Sequence, residues 1–197
     1  MKYFSIIFLI VFSAISMSFL GILLASRNQL STLTPIPFEE GDLPMPKKPP
    51  GEVQQGAEVY RTMGCASCHT RMVLAQRSAN DFHKGWAKAL FEGEPIERQS
   101  VPRDYLYYSD PLVGTGRRGG DLFNIGSRLS ESEIYAILRN DDGSHGVGYE
   151  FLFDHYEGKL LPSESARVLV EFLTRSSQNY NLPEAPIMLK DDLDNNE

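Results

Sequence analysis

Apolar residues are spread unevenly along the chain, and their spacing divides it into four stretches. Between Tyr3 and Ser26 no side chain is charged, and Ile, Leu, Phe, Val and Ala dominate. At 1.5 Å per residue a helix of that length exceeds a hydrocarbon core of ~30 Å. A cleaved secretory signal has an apolar region of only about 7–15 residues, and Leu24-Ala25-Ser26 is a poor match to the small-residue site that would follow it. The pattern predicts an uncleaved membrane anchor helix within residues 1–29. Residues 30–51 then hold Pro35, Pro37, Pro44, Pro46, Pro49 and Pro50, half of the 12 prolines in the chain. Such a stretch cannot form helix and is expected to be an extended linker of about 3 Å per residue. Ile36, Phe38, Leu43 and Met45 make it more apolar than a free spacer requires, which points to its lying along a partner subunit.

Helical spacing resumes after Gly51. Val53, Gly56, Ala57, Tyr60 and Met63 predict a helix over 52–63. Glycine is unfavourable inside a helix, so Gly56 implies the close approach of another. Residues 163–176 supply a candidate: Ala166, Leu169, Val170 and Leu173 form one stripe behind a Pro162-Ser163 start signal. Ser130 and Glu133 form a capping box ahead of Ile134, Ile137 and Leu138 and predict a helix over 131–139. Phe82, Trp86, Ala89 and Leu90, closed by Gly93, predict another over 81–91. Residues 94–129 contain Gly114, Gly116, Gly119, Gly120 and Gly126 and are expected to be loop. No stretch alternates well enough to predict a strand, and there is no internal repeat. From Leu182 onward, Pro183, Pro186, Asp191, Asp192 and Asp194 predict a disordered acidic tail over 182–197. The expected fold class is mainly α: one N-terminal transmembrane helix, then a helical domain with long loops over 52–181.

A net charge of −7 argues against a nucleic-acid partner, which would favour a basic face. The chemistry is concentrated in one place. Both cysteines of the chain lie in Cys65-Ala66-Ser67-Cys68-His69, the C-x-x-C-H spacing for covalent attachment of one c-type haem. Each thiol adds to one vinyl group, and His69 is delivered to the iron as proximal ligand. A zinc site would need two further ligands, and no third cysteine exists; a dithiol oxidoreductase would set its C-x-x-C in a βαβ pattern, which is not found. Terminal helices crossing beside such a motif are the small cytochrome c architecture. Covalent haem is attached outside the bacterial cytoplasmic membrane, which implies a domain on the periplasmic side and Lys2 on the cytoplasmic side, although Arg27 weakens the charge argument.

Beyond the motif, several blocks carry a family resemblance. Gly56, Tyr60 and Gly64-Cys65-Ala66-Ser67-Cys68-His69-Thr70 are followed by Gly85-Trp86 and by Ser100-Val101-Pro102-Arg103-Asp104-Tyr105-Leu106-Tyr107. Next come Asp110-Pro111-Leu112-Val113-Gly114 and Arg117-Arg118-Gly119-Gly120-Asp121-Leu122-Phe123-Asn124-Ile125-Gly126-Ser127-Arg128. Over roughly residues 52–155 this order resembles the mono-haem cytochrome c subunit (subunit II) of cbb-type haem-copper oxidases. The resemblance implies a single-pass electron-transfer subunit that does no bond chemistry itself. Its partners would be the oxidase catalytic subunit and other cytochrome c subunits in the bacterial inner membrane. The alternatives are a haem-based ligand sensor or assembly subunit, and a free-standing anchored electron shuttle.

Two positions depart from the family pattern. Gly120 stands where proline is usual, at a backbone carbonyl that accepts from the proximal histidine. Gly146 stands where the family has its distal methionine, within Ser144-His145-Gly146-Val147-Gly148-Tyr149. The sixth ligand is therefore open: His145 beside the lost methionine, or an unfilled or water-bound position. Met63 and Met72 lie on the proximal side, Met188 in the tail, and His83 and His155 are further candidates. Arg103, Arg117, Arg118 and Arg128 are candidate partners of haem propionates or ordinary surface ion pairs. Tyr105, Tyr107, Tyr108 and Trp86 either line the haem crevice or pack in the core.

Overall fold

The computed structural model describes residues 2–37, 41–143, 145–146 and 148–185. It falls into two units, Met1–Pro35 and Ile36–Glu197. The first is a single helix, α1 (Lys2–Ser31), with a mean hydropathy of 2.6 over its most apolar window and no part of that window buried. Thirty residues give a rod of about 45 Å, long and apolar enough to cross a membrane. The helix outlasts its apolar run because Arg27, Asn28 and Gln29 are helix-compatible. It ends where the Ser31 and Thr32 hydroxyls donate back to the Asn28 and Gln29 carbonyls.

The second unit is mainly helical, with few strands. Helix α2 (Gly51–Thr62) packs against α4 (Glu164–Arg175), and α3 (Glu131–Arg139) joins the same core. The contact between α2 and α4 depends on Gly56. A Cβ at that position would lie 1.9 Å from the Val168 carbonyl oxygen and 2.6 Å from Phe172 Cβ, so only glycine lets the backbones meet. Val53, Ala57, Tyr60, Leu169, Phe172 and Leu173 close around the crossing, and Ile134 and Leu138 add the α3 face. Helix α3 begins as the sequence predicts: Ser130 Oγ accepts from the Glu133 amide, and the Glu133 carboxylate accepts from the Ser130 amide at 2.8 Å.

Residues 81–91 are not the helix that periodicity predicts. They run as turns through residue 87, with Gly85 at φ 67°, and then as β1 (Lys88–Phe91), which pairs antiparallel with β2 (Glu94–Glu97). A second hairpin joins β3 (Phe153–Tyr156) to β4 (Lys159–Pro162). Both turns are Glu-Gly pairs with positive φ at each residue, Glu92-Gly93 and Glu157-Gly158, the geometry of a type I′ hairpin turn. The spacing of Phe82, Trp86 and Ala89 mimics a helix because turn and strand happen to bury Phe82 and Ala89 and half-bury Trp86.

The start of the acidic tail is also ordered within the described residues. Leu182 and Ala185 are buried with Tyr180 and Val101, and Ile36 and Met45 pack against that cluster. Ile36 and Met45 bond to each other through both backbone amides, at 3.0 and 2.8 Å. These two linker residues therefore cover the chain's own C-terminal segment. Leu43 is exposed; Phe38 and Met188 lie outside the described residues. A polar network anchors the same segment. Arg98, fully buried, makes a bidentate pair with Asp104 and donates to the Tyr180 and Gln99 carbonyls. Gln178 and the Tyr180 hydroxyl also donate to Asp104.

Candidate functional site

The Cys-Ala-Ser-Cys-His segment is a tight turn directly after α2. Cys65–Ser67 form one turn of 3₁₀-helix, and the His69 amide donates to the Cys65 carbonyl at 2.9 Å. This curl leaves both cysteines half-buried and unpaired by any disulfide. Burial pushes the Cys65 thiol up to about 11, so it is a neutral thiol at physiological pH and not an activated thiolate.

The glycine-rich loop holds this turn from outside. The Thr115 amide donates to the Ala66 carbonyl, the Gly119 amide to the Cys68 carbonyl, and the Leu122 amide to the Thr70 carbonyl. Its closest approach is to His69. The Nδ1 of His69 lies 2.9 Å from the Gly120 carbonyl, which fixes Nδ1 as the donor and leaves Nε2 as the acceptor of the ring. A Cβ on Gly119 would sit 2.2 Å from His69 Cε1, so the backbone itself walls the ring. Asp121, fully buried, steadies the same strip by accepting from the Thr70 hydroxyl and the Met72 and Phe123 amides.

Opposite His69 stands His145. Asn140, the left-handed cap of α3, uses its side-chain oxygen to accept from the His145 amide at 3.0 Å, and the Tyr149 amide donates to the Leu138 carbonyl. The His69 and His145 rings are 5.9 Å apart between centres and parallel to within 8°. Both face a cavity of about 230 Å³ lined by Tyr60, Cys65, Leu122, Ile125, Ile134, Ile137, Leu138, Leu169 and Leu173. Metal–imidazole bonds of about 2 Å on both sides would set ring centres roughly 6 Å apart, close to the separation of these two rings. Among the described residues no three His, Cys, Asp or Glu converge on a metal site. A metal between these histidines would take its remaining ligands from a bound macrocycle, and an apolar cleft bordered by a thiol suits one.

Gly146, in the position of the absent methionine, has φ 72° and open space where a side chain would start. Of the other residues the sequence singles out, Arg128 borders the cavity and donates to the Asp121 carbonyl. Arg103 and Arg117 do not line it and instead form ion pairs, the other of the two roles open to them. Arg103 pairs with Glu184, while Arg117 pairs with Asp81 and donates to the Met72 carbonyl. Arg118 is exposed. Tyr105, also expected at the crevice, donates its hydroxyl to the Arg71 carbonyl and stacks on Phe123. Arg103, Arg117 and Tyr105 thus each direct their polar atoms to a partner other than the cavity lining. His83 and His155 are exposed and stand apart from the cavity lining.

Sequence reasoning passed over Arg71. It is fully buried, and none of its three guanidinium nitrogens has a hydrogen-bond partner. A charged residue two places after a histidine motif carries no periodicity signal, so burial alone reveals it. Compared with known protein families and curated proteins, the chain matches none.

Proposed function

We propose that this chain is a membrane-anchored mono-haem c electron-transfer protein, its iron held between His69 and His145 and its porphyrin tethered through Cys65 and Cys68. The observation that carries this reading is the pair of parallel imidazoles, 5.9 Å apart, facing one apolar cavity beside the C-x-x-C turn. When bound, the haem supplies a one-electron couple; the protein supplies ligands, dielectric and access. The Gly120 carbonyl orients His69 and raises its basicity through Nδ1. Ile134, Ile137, Leu138, Leu169 and Leu173 keep water from the cavity. Two histidines set a lower potential than the histidine–methionine pair, which suits a relay fed by a low-potential donor. The facing position of His145 speaks for two-histidine ligation over an open sensor site.

The partner follows from the blocks resembling subunit II of cbb-type oxidases, together with α1. We propose a single-pass subunit of a terminal oxidase complex in the bacterial inner membrane, haem domain on the periplasmic side, passing electrons to the catalytic subunit. Full-length protein made in a host competent for cytochrome c maturation is expected to carry one covalent haem by pyridine haemochrome assay, with a low-spin ferric spectrum. His145→Ala is expected to turn the iron high-spin and to let the ferrous form bind CO. A chain without covalent haem, or a high-spin wild type, overturns the reading. Co-purification of a haem-copper subunit separates the oxidase role from a free-standing shuttle.

A further inference from the structure

Among the described residues two arginines are fully buried, and they differ in one respect. Arg98 is matched by a buried carboxylate, Asp104, and by backbone carbonyls. Arg71 has no acceptor for Nε, Nη1 or Nη2. Its guanidinium is instead caged by aromatic faces, 4.3 Å from the Phe172 ring centre, 4.9 Å from Phe123 and 5.2 Å from Tyr108. Those rings favour a cation but accept no planar fork of N–H bonds. The Tyr108 hydroxyl feels the guanidinium charge without completing a hydrogen bond to it. Among the described residues only one other buried side-chain atom is left unpaired, the hydroxyl of Tyr60. Tyr60 lines the cavity between the histidines, meets the same Phe172 ring at 5.4 Å between centres with a tilt of 58°, and senses the charge of Arg71. Among the described residues, the orphaned buried donors thus belong to Tyr60, which lines the cleft, and to Arg71, which shares the Phe172 ring with it.

Buried donors in native proteins are paired, and a buried charge above all. We infer that Arg71 and Tyr60 form the receptor for a carboxylate that belongs to the bound ligand. On the haem reading above, on which this inference rests, that carboxylate is a propionate. Arg71 then replaces Arg103, Arg117 and Arg118 as the propionate-binding arginine. Asp121 lies close enough to influence Tyr60, but its oxygens already accept from Thr70, Met72 and Phe123 and leave the guanidinium unmatched. Arg128, the guanidinium that lines the cavity, is turned to the Asp121 carbonyl.

The test uses full-length holoprotein in detergent, its haem carboxyls labelled with ¹³C by feeding labelled aminolevulinate and its arginine guanidinium groups with ¹⁵N. In the diamagnetic ferrous state, ¹⁵N–¹³C dipolar dephasing between guanidinium and haem carboxyl is expected in the wild type. It is expected to vanish in Arg71→Lys and to persist in Arg128→Lys. Wild-type holoprotein without dephasing overturns the inference, as does a signal that survives Arg71→Lys or disappears in Arg128→Lys. The haemochrome assay on the same samples keeps two failures apart: no covalent haem defeats the functional reading, whereas haem without dephasing defeats this assignment alone.

Discussion

His69 shows how much one residue can be constrained by backbone alone. Its ring is fixed on one side by a hydrogen bond to the Gly120 carbonyl and on the other by the bare Cα of Gly119. Gly119→Ala would put a methyl group 2.2 Å from Cε1, so the ring must rotate and its bond to Gly120 must break. Overpacking of this kind typically costs about 1–3 kcal/mol. The expected outcome is a lower denaturation midpoint and, on the proposed haem reading, a larger loss of covalent haem, read by urea titration and haem staining of the same preparation. The two cysteines and His69 could be picked out from spacing alone, since C-x-x-C-H is a local pattern. His145 could only be narrowed to a candidate, because its position depends on the cap of α3 and not on its neighbours in sequence. Arg71 could not be found at all: what marks it is the absence of partners, a property of the folded packing.

At the scale of elements, amphipathic helices were readable and hairpins were not. Helices α2, α3 and α4 each bury one stripe at helical period, and their ends carry ordinary signals such as the Ser130–Glu133 box and the Ser163 cap. The hairpins have strands of four residues, too short to establish alternation, and their Glu-Gly turns lack the Asn-Gly or Asp-Gly signature of a type I′ turn. The crossing of α2 and α4 tests the role read into Gly56. Alanine is favoured over glycine in helices by about 1 kcal/mol, so intrinsic propensity alone predicts that Gly56→Ala stabilises. The contact at 1.9 Å to Val168 predicts the reverse. We expect net destabilisation of about 2 kcal/mol, seen as a drop in the urea midpoint with an unchanged slope. A stabilised variant would mean that the helices do not cross at this residue.

For the molecule as a whole, the C-terminal segment acts as a tie between distant parts of the domain. Tyr180, Leu182 and Ala185 fill a small core with Val101, and Gln178 bonds to Asn124, Ser100 and Asp104. Asp104 is the hub, since it is the carboxylate that neutralises Arg98. Asp104→Ala leaves a buried cation unpaired, at a cost of about 3–5 kcal/mol. This is expected to make residues 178–185 accessible to proteolysis before the helical core unfolds, measured by limited digestion and mass spectrometry. The sequence suggested a loose end here because proline and acidic residues dominate its last part, whereas the anchoring side chains lie just before and within that boundary.

The order of these pieces along the chain also bears on biosynthesis. Cys65, Cys68 and His69 lie close behind α2, but the wall that α4 contributes to the cavity begins only at Glu164. At translation rates of ~5–20 residues per second, several seconds separate the emergence of the thiols from that of the helix that encloses them. On the proposed haem reading, the nascent polypeptide would during that interval present an uncovered attachment turn, on which a maturation enzyme could act before docking of the last helix closed the way.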